Sequence, residues 1–248
     1  KRKENMEGAI FTTISGGDCR IIQYINNSKV IVKFLDMYGS ESQVTLQSLR
    51  KGLVRNPYAP NLYNVGFLGV GTYAMTINGK PTRAHKAWSG VIERCYSTRL
   101  RHSRPCYSDV TISGDWHNFQ NFAKWFYSQR GAELGWEIDK DLLVTGNKHY
   151  SPETCILLPR RLNTAIIHVG SNENVLGYSY HPVSKLYSTM VSTPAGGRNI
   201  YFKTKDECVK YYYKSKSEQL SSLANEWREE LDPKAFDSFI RLSEEYLN

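Results

Sequence analysis

The stretch EIDKDLLVTGNKHYSPETCILLPRRLN, from Glu137 to Asn163, constrains the fold more than any other part of the chain. It reads as a strand carrying two aspartates, a tight loop, a second strand and a helix start. Pro159 sits where a helix accepts proline, at its first position. The spacing therefore predicts a ββα unit. Asp139 and Asp141, two apart on a strand, share one face, and Lys140 points to the other. Two like charges so close call for a compensating cation, either a metal ion or a Lys or Arg side chain.

The flanks build an α+β chain around that unit. Residues 8–50 predict a small β module. CRIIQYI and KVIVKFL flank Asn26-Asn27-Ser28, a hairpin signal, and QVTLQSL (43–49) alternates as a further strand. Residues 52–81 are rich in Gly, Pro, Asn and Tyr, which predicts an ordered linker. GVGTYA follows no convincing strand, so a dinucleotide loop is rejected. Thr82 caps a helix over 82–97 whose stripe is Ala84, Trp88, Val91, Ile92 and Cys95. A second helix starts at Asp115 with Phe119, Phe122, Ala123 and Phe126 on one face. From Val175, VLGYSYH, KLYSTMV and GRNIYF predict three short strands, and Thr204 opens a helix with Asp206 and Glu207 in its first turn. In the tail, Asp232 caps and Pro233 begins a last helix, with Phe236, Phe239, Ile240 and Leu247 on one side. The division expected is 1–55 (a small, barrel-like β module), 56–81 (linker), 82–168 (central ββα domain), 172–228 (sheet and helix) and 229–248 (a docking or dimerisation helix).

Charge narrows the partner. The net charge is +8, distributed as +4 over residues 1–64, +5 over 65–165, +3 over 166–228 and −4 over the tail. Three successive basic segments fit a polyanion, most simply nucleic acid. No apolar run reaches 18 residues and none follows KRKENMEG, so neither a membrane span nor a secretion signal is expected. Cys19, Cys95, Cys106, Cys155 and Cys208 are far apart, odd in number and without a CxxC pair. They read as reduced, mostly buried thiols of a cytoplasmic protein.

LRKG (49–52), NPYAPNLYNVGFLGVG (56–71), Trp88 with Arg94-Cys95-Tyr96, PCYSDVTI (105–112), DWHNFQNFAKW (115–125) and DKDLLVTGNKHYSPETC (139–155), then Pro159 and Asn163, resemble bacteriophage HNH-type homing endonucleases. Residues 175–224 are similar to the APETALA2-like DNA-binding module often joined to them. The resemblance implies a modular double-stranded DNA-binding protein of a phage or related mobile element. It implies either a working enzyme or a scaffold retained for binding after cutting is lost, as in a transcriptional repressor.

A nuclease of that class needs a base, a divalent cation and side chains to hold it. The resemblance assigns Asp139 and Asn163 to the metal, with Asp141 a further candidate, and oxygen donors suit Mg or Mn. Binding alone needs no cofactor. Lys140 stands where such motifs commonly carry histidine, and an ordinary lysine is protonated at neutral pH. His149, or His168 beyond the helix, could substitute in an active enzyme. A purely structural reading leaves the aspartates paired with Arg160 and Arg161. Expected DNA contacts are Arg94, Arg99, Arg101 and Arg104 around the first central helix, Lys140, Arg160 and Arg161 in the finger, and Lys185 and Arg198 in the C-terminal module. There Tyr178, Tyr180, Tyr187 and Tyr201 join them on a sheet of which one face can meet DNA.

Overall fold

The computed structural model describes residues 6–166, 177–193 and 196–247. His168 and the start of the expected C-terminal module, 172–176, lie outside the described residues. The fold is mixed α+β, with a four-stranded antiparallel sheet first, central helices with small sheets, and a three-stranded sheet with two helices last. Two compact units divide the chain: Lys1–Arg101 with Ile112–Trp125, and His102–Thr111 with Phe126–Asn248.

In the first unit, β1 (Ile10–Thr12), β2 (Asp18–Asn26), β3 (Lys29–Phe34) and β4 (Glu41–Val44) pair in sequence order. Asn27 and Ser28 turn the central hairpin, and the Ser28 N–H donates to the Asn26 side chain at 2.9 Å. Cys19, Ile21, Val30, Val32 and Phe34 face a core closed by Leu46, Leu49 and Val54. The sheet is a meander, and among the described residues no pairing joins β1 to β4. QVTLQSL is a strand only to Val44. Thr45 then accepts from the Ser48 N–H and opens α1 (Leu46–Arg50). A capping hydroxyl with two leucines three apart overrides the alternation.

The expected linker is held closely. Its Asn56 amide donates to Asp36 at 2.6 Å, and Tyr58 stacks on Tyr38 at 4.2 Å. Further along, the Phe67 N–H donates to the His117 carbonyl and the Phe119 N–H to the Phe67 carbonyl. This close approach explains the glycines of GFLGVG. Gly69 has φ +69°, and a Cβ there would stand 2.2 Å from Asn118 Oδ1. The segment also holds a hairpin absent from the sequence reading, β5 (Thr76–Ile77) with β6 (Lys80–Pro81). Asn78 and Gly79 both have positive φ, the requirement of a tight primed turn.

Helix α2 (Arg83–Tyr96) follows, and all five residues of its expected stripe are buried. Thr82 accepts from the His85 N–H and donates to the Ala74 carbonyl at 3.1 Å. Thr82→Ala is therefore expected to lower stability by about 1 kcal/mol in chemical denaturation, and Thr82→Ser to cost little. α3 (Thr98–Ser103) and β7 (Thr111–Ile112) come next. The helix expected from Asp115 starts later. Gly114–His117 forms a 3₁₀ turn, and α4 spans Phe119–Ser128 with Phe119, Phe122, Ala123 and Phe126 buried.

In the second unit, β8 (Glu137–Asp139) pairs antiparallel with β10 (Ile156–Leu158), Asp139 opposite Ile156. β9 (His149–Tyr150) lies in the loop between them. Pro159 then leads into α5 (Arg160–Ile166), whose Leu162, Ala165 and Ile166 are buried. β11 (Ser179–His181), β12 (Leu186–Thr193) and β13 (Gly196–Phe202) form one antiparallel sheet in that order. Helix α6 (Lys205–Glu226) starts with a full capping box between Thr204 and Glu207. Asp232 caps α7 (Pro233–Glu245), which packs on α6 of the same chain. Its buried face is Ala235, Ser238, Phe239 and Leu242, while Leu247 is 65% exposed and outside it. Phe236 and Ile240 are half-buried at its edges.

Candidate functional site

The finger between β8 and α5 is organised by Lys140. β8 ends at Asp139, so strand alternation does not extend to Lys140 and Asp141. The Lys140 side chain turns inward, where the residue is only 8% exposed. Its ammonium donates to both oxygens of Asp141, at 2.6 and 2.7 Å, and to the Asn147 carbonyl at 2.9 Å. The Asn147 amide donates in return to the carbonyls of Lys140 (2.8 Å) and His149 (2.7 Å). The Tyr150 ring lies 5.9 Å from the ammonium, within range of a cation–π contact. The cation required by the acidic pair is thus a lysine of the same loop.

The other expected metal and catalytic residues are likewise engaged. Asp139 Oδ1 accepts from the backbone N–H groups of Asp141 (2.9 Å) and Leu142 (2.7 Å), tying the strand's end to the turn after it. Burial pushes this carboxyl up, against the pull of those donors. Asn163 donates to Glu137 at 2.9 Å, so the carboxylate beside it is Glu137's and not that of Asp139. His149 is exposed and shares a 2.8 Å hydrogen bond through Nδ1 with the Thr111 hydroxyl. Among the described residues no group of three or more His, Cys, Asp and Glu is placed to hold a metal. Asp139, Asp141 and Asn163 each spend an oxygen or amide on a protein partner, a poor fit to a divalent ion that wants several free oxygens. Behind them, Cys155 is buried and its thiol is pushed up to about 12, so it is inert.

The expected cations divide by what they touch. Arg101 donates to the Cys95 carbonyl and closes the end of α2. Arg94 is half-buried on α2, whereas Arg99 and Arg104 are exposed. Arg161 pairs with Glu226 of α6. Arg160 is open to solvent, with Glu137 4.0 Å from it. Lys185 closes the turn between β11 and β12 with φ +56°. Arg198 is exposed on β13.

Register separates the two faces of the C-terminal sheet. Tyr180 pairs with Tyr187, Tyr187 with Phe202, Thr189 with Ile200 and Val191 with Arg198. This face meets α6: Thr189 is buried, and the Phe202 and Tyr211 rings lie 5.2 Å apart. The opposite face carries Ser179, His181, Ser188, Met190, Asn199 and Tyr201, through the pairs Ser179–Ser188, Ser188–Tyr201 and Met190–Asn199. Met190 is 69% and Tyr201 53% exposed there. His181 Nε2 and the Ser188 hydroxyl share a 2.7 Å hydrogen bond, and the His181 ring packs 5.5 Å from Tyr201. Of the expected sheet residues, Tyr201 is outward, while Tyr180, Tyr187 and Arg198 belong to the helix-side face.

From Gly177 to Lys205 the chain contains no Asp or Glu and four Lys or Arg: Lys185, Arg198, Lys203 and Lys205. The outward face is therefore free of carboxylates, with Lys185 in the turn before β12 and Lys203 just past the end of β13. His181, Ser188, Met190 and Asn199 were not among the residues read from sequence. The signal for them is parity with Tyr201, which becomes legible only once the register is known.

No family model, curated protein or solved structure matches the chain. Among the described residues no helix is long and apolar enough to cross a membrane.

Proposed function

We propose that the chain is a sequence-specific double-stranded DNA-binding protein of a phage or related element, one that holds its site without cutting it. A transcriptional repressor built on an HNH homing-endonuclease scaffold is the biological form that fits. The observation that carries this reading is the outward sheet face, where Met190, Asn199 and Tyr201 are exposed and no carboxylate stands, in a stretch of chain that carries four cations. Duplex DNA is a polyanion whose major groove accepts a β-sheet, and positive charge around such a sheet supplies the sequence-independent part of the affinity. The finger supports binding over cleavage. Its lysine neutralises Asp141, and its first aspartate is spent on backbone N–H groups.

The test pairs a gel shift with plasmid incubation in Mg or Mn, with chelator as control. Retarded DNA that stays supercoiled in every metal is the expected result. Metal-dependent nicking lost in Asp139→Ala would overturn the reading and establish an active nuclease. Absence of retardation at low salt would remove both.

A further inference from the structure

We infer that the outward face of the β11–β13 sheet reads A·T base pairs, with Asn199 contacting adenine and Met190 and Tyr201 lying against thymine methyl groups. The inference rests on the DNA-binding reading above and adds a base preference to it. Neighbouring strands are about 4.8 Å apart, so three strands span about 10 Å, which fits a major groove about 12 Å wide. A sheet in that position presents its outward side chains to base edges.

Those side chains have a chemical bias. A side-chain amide matches adenine, accepting from N6 and donating to N7. Asn199 is exposed at mid-strand beside Met190, and its amide makes no hydrogen bond to another described residue. Met190 and Tyr201 offer exposed apolar surface of the kind that packs on the C5-methyl of thymine. Guanine is most often read by Arg or Lys donating to O6 and N7. Among the described residues of the outward face there is neither. Arg198 belongs to the other face through its pairing with Val191. Lys185 sits in a turn, and Lys203 and Lys205 follow the end of β13. These cations are placed for phosphates, which position the protein and carry no sequence information. His181 has its Nε2 engaged by Ser188 and its ring against Tyr201, so it orients the tyrosine.

The experiment is selection of bound duplexes from a randomised pool by the full chain, repeated with Asn199→Ala, Asn199→Gln and Asn199→Arg. Wild type is expected to enrich a site whose centre is A·T. Asn199→Ala should lose roughly 10-fold in discrimination at one position. Asn199→Gln should keep adenine, and Asn199→Arg should move that position to guanine. A selected site of G·C pairs, or the wild-type site returned by both Asn199→Ala and Asn199→Arg, would overturn the inference and leave DNA binding standing. Failure of wild type to retain any duplex at low salt would overturn DNA binding itself. Circular dichroism of each variant confirms that an exposed strand position has been changed without unfolding, and the guanine switch reads a gain that unfolding cannot mimic.

Discussion

Lys185→Ala, Arg198→Ala and Lys203→Ala combined should flatten the salt dependence of DNA binding by up to about 2.7 in the log–log slope. Each phosphate contact releases condensed counterions and contributes about 0.9 to the slope. Over the tenfold change from 1 M to 0.1 M salt, that difference amounts to a deficit of two to three orders of magnitude in affinity. The three positions suit the purpose because none has a carboxylate between Gly177 and Lys205 to neutralise it. Lys205 is left in place, since its ammonium lies 5.2 Å from the Tyr178 ring and its removal would also disturb packing. The loss should be uniform across DNA sequences, because phosphate contacts carry no base information. Titration at four or more salt concentrations measures it. A slope equal to wild type would show that DNA, if bound, lies elsewhere, and the exposed Arg99 and Arg104 would become the next group to change. Arg161 makes an internal control, since it is already paired with Glu226 and its substitution should move the slope little.

Helices were legible in the sequence where a cap and an apolar stripe coincided. Thr82, the Thr204–Glu207 box and Asp232-Pro233 each open the helix expected of them. Local chemistry determines those starts, so one-dimensional reading reaches them. Strand ends were harder. QVTLQSL alternates, yet Thr45 turns it into a helix, and β2 shifts register between Ile21 and Gln23. Alternation counted through such a point assigns every later side chain to the wrong face. The same sensitivity hides the outward face of the C-terminal sheet. Arg198 attracts attention by charge, but the face it belongs to depends on pairing with Val191. Asn78-Gly79, both at positive φ, is a local turn signal inside a segment whose composition reads as linker.

The central finger shows the same limit at a single residue. Strand parity puts Lys140 opposite Asp139, as an outward cation. The strand stops at Asp139, and the bend after it carries the lysine into the loop. Its consequence is measurable. Lys140→Met keeps most of the buried stem and deletes the ammonium, which leaves the Asn147 carbonyl without its donor and Asp141 without its counter-ion. Breaking a fully buried ion pair costs about 3–5 kcal/mol. The Asp141 side chain is 49% exposed and can rehydrate, which brings the expected loss below that range, to about 2–3 kcal/mol. Chemical denaturation followed by circular dichroism reads it, and hydrogen exchange should place the loosening at residues 140–150. Lys140→Arg tests the geometry separately: it retains charge but brings a broader planar head to partners spaced for an ammonium. If an internal cation serves where a metal would, millimolar Mg or Mn should leave the wild-type melting temperature unchanged. A metal-induced rise would mean that the native state binds the ion and that Asp139, Asp141 or Asn163 exchanges its protein partner for it. Stability of Lys140→Met equal to wild type would show that the loop is held by Asn147 and the Asp139 turn alone, and the lysine would then be free for DNA.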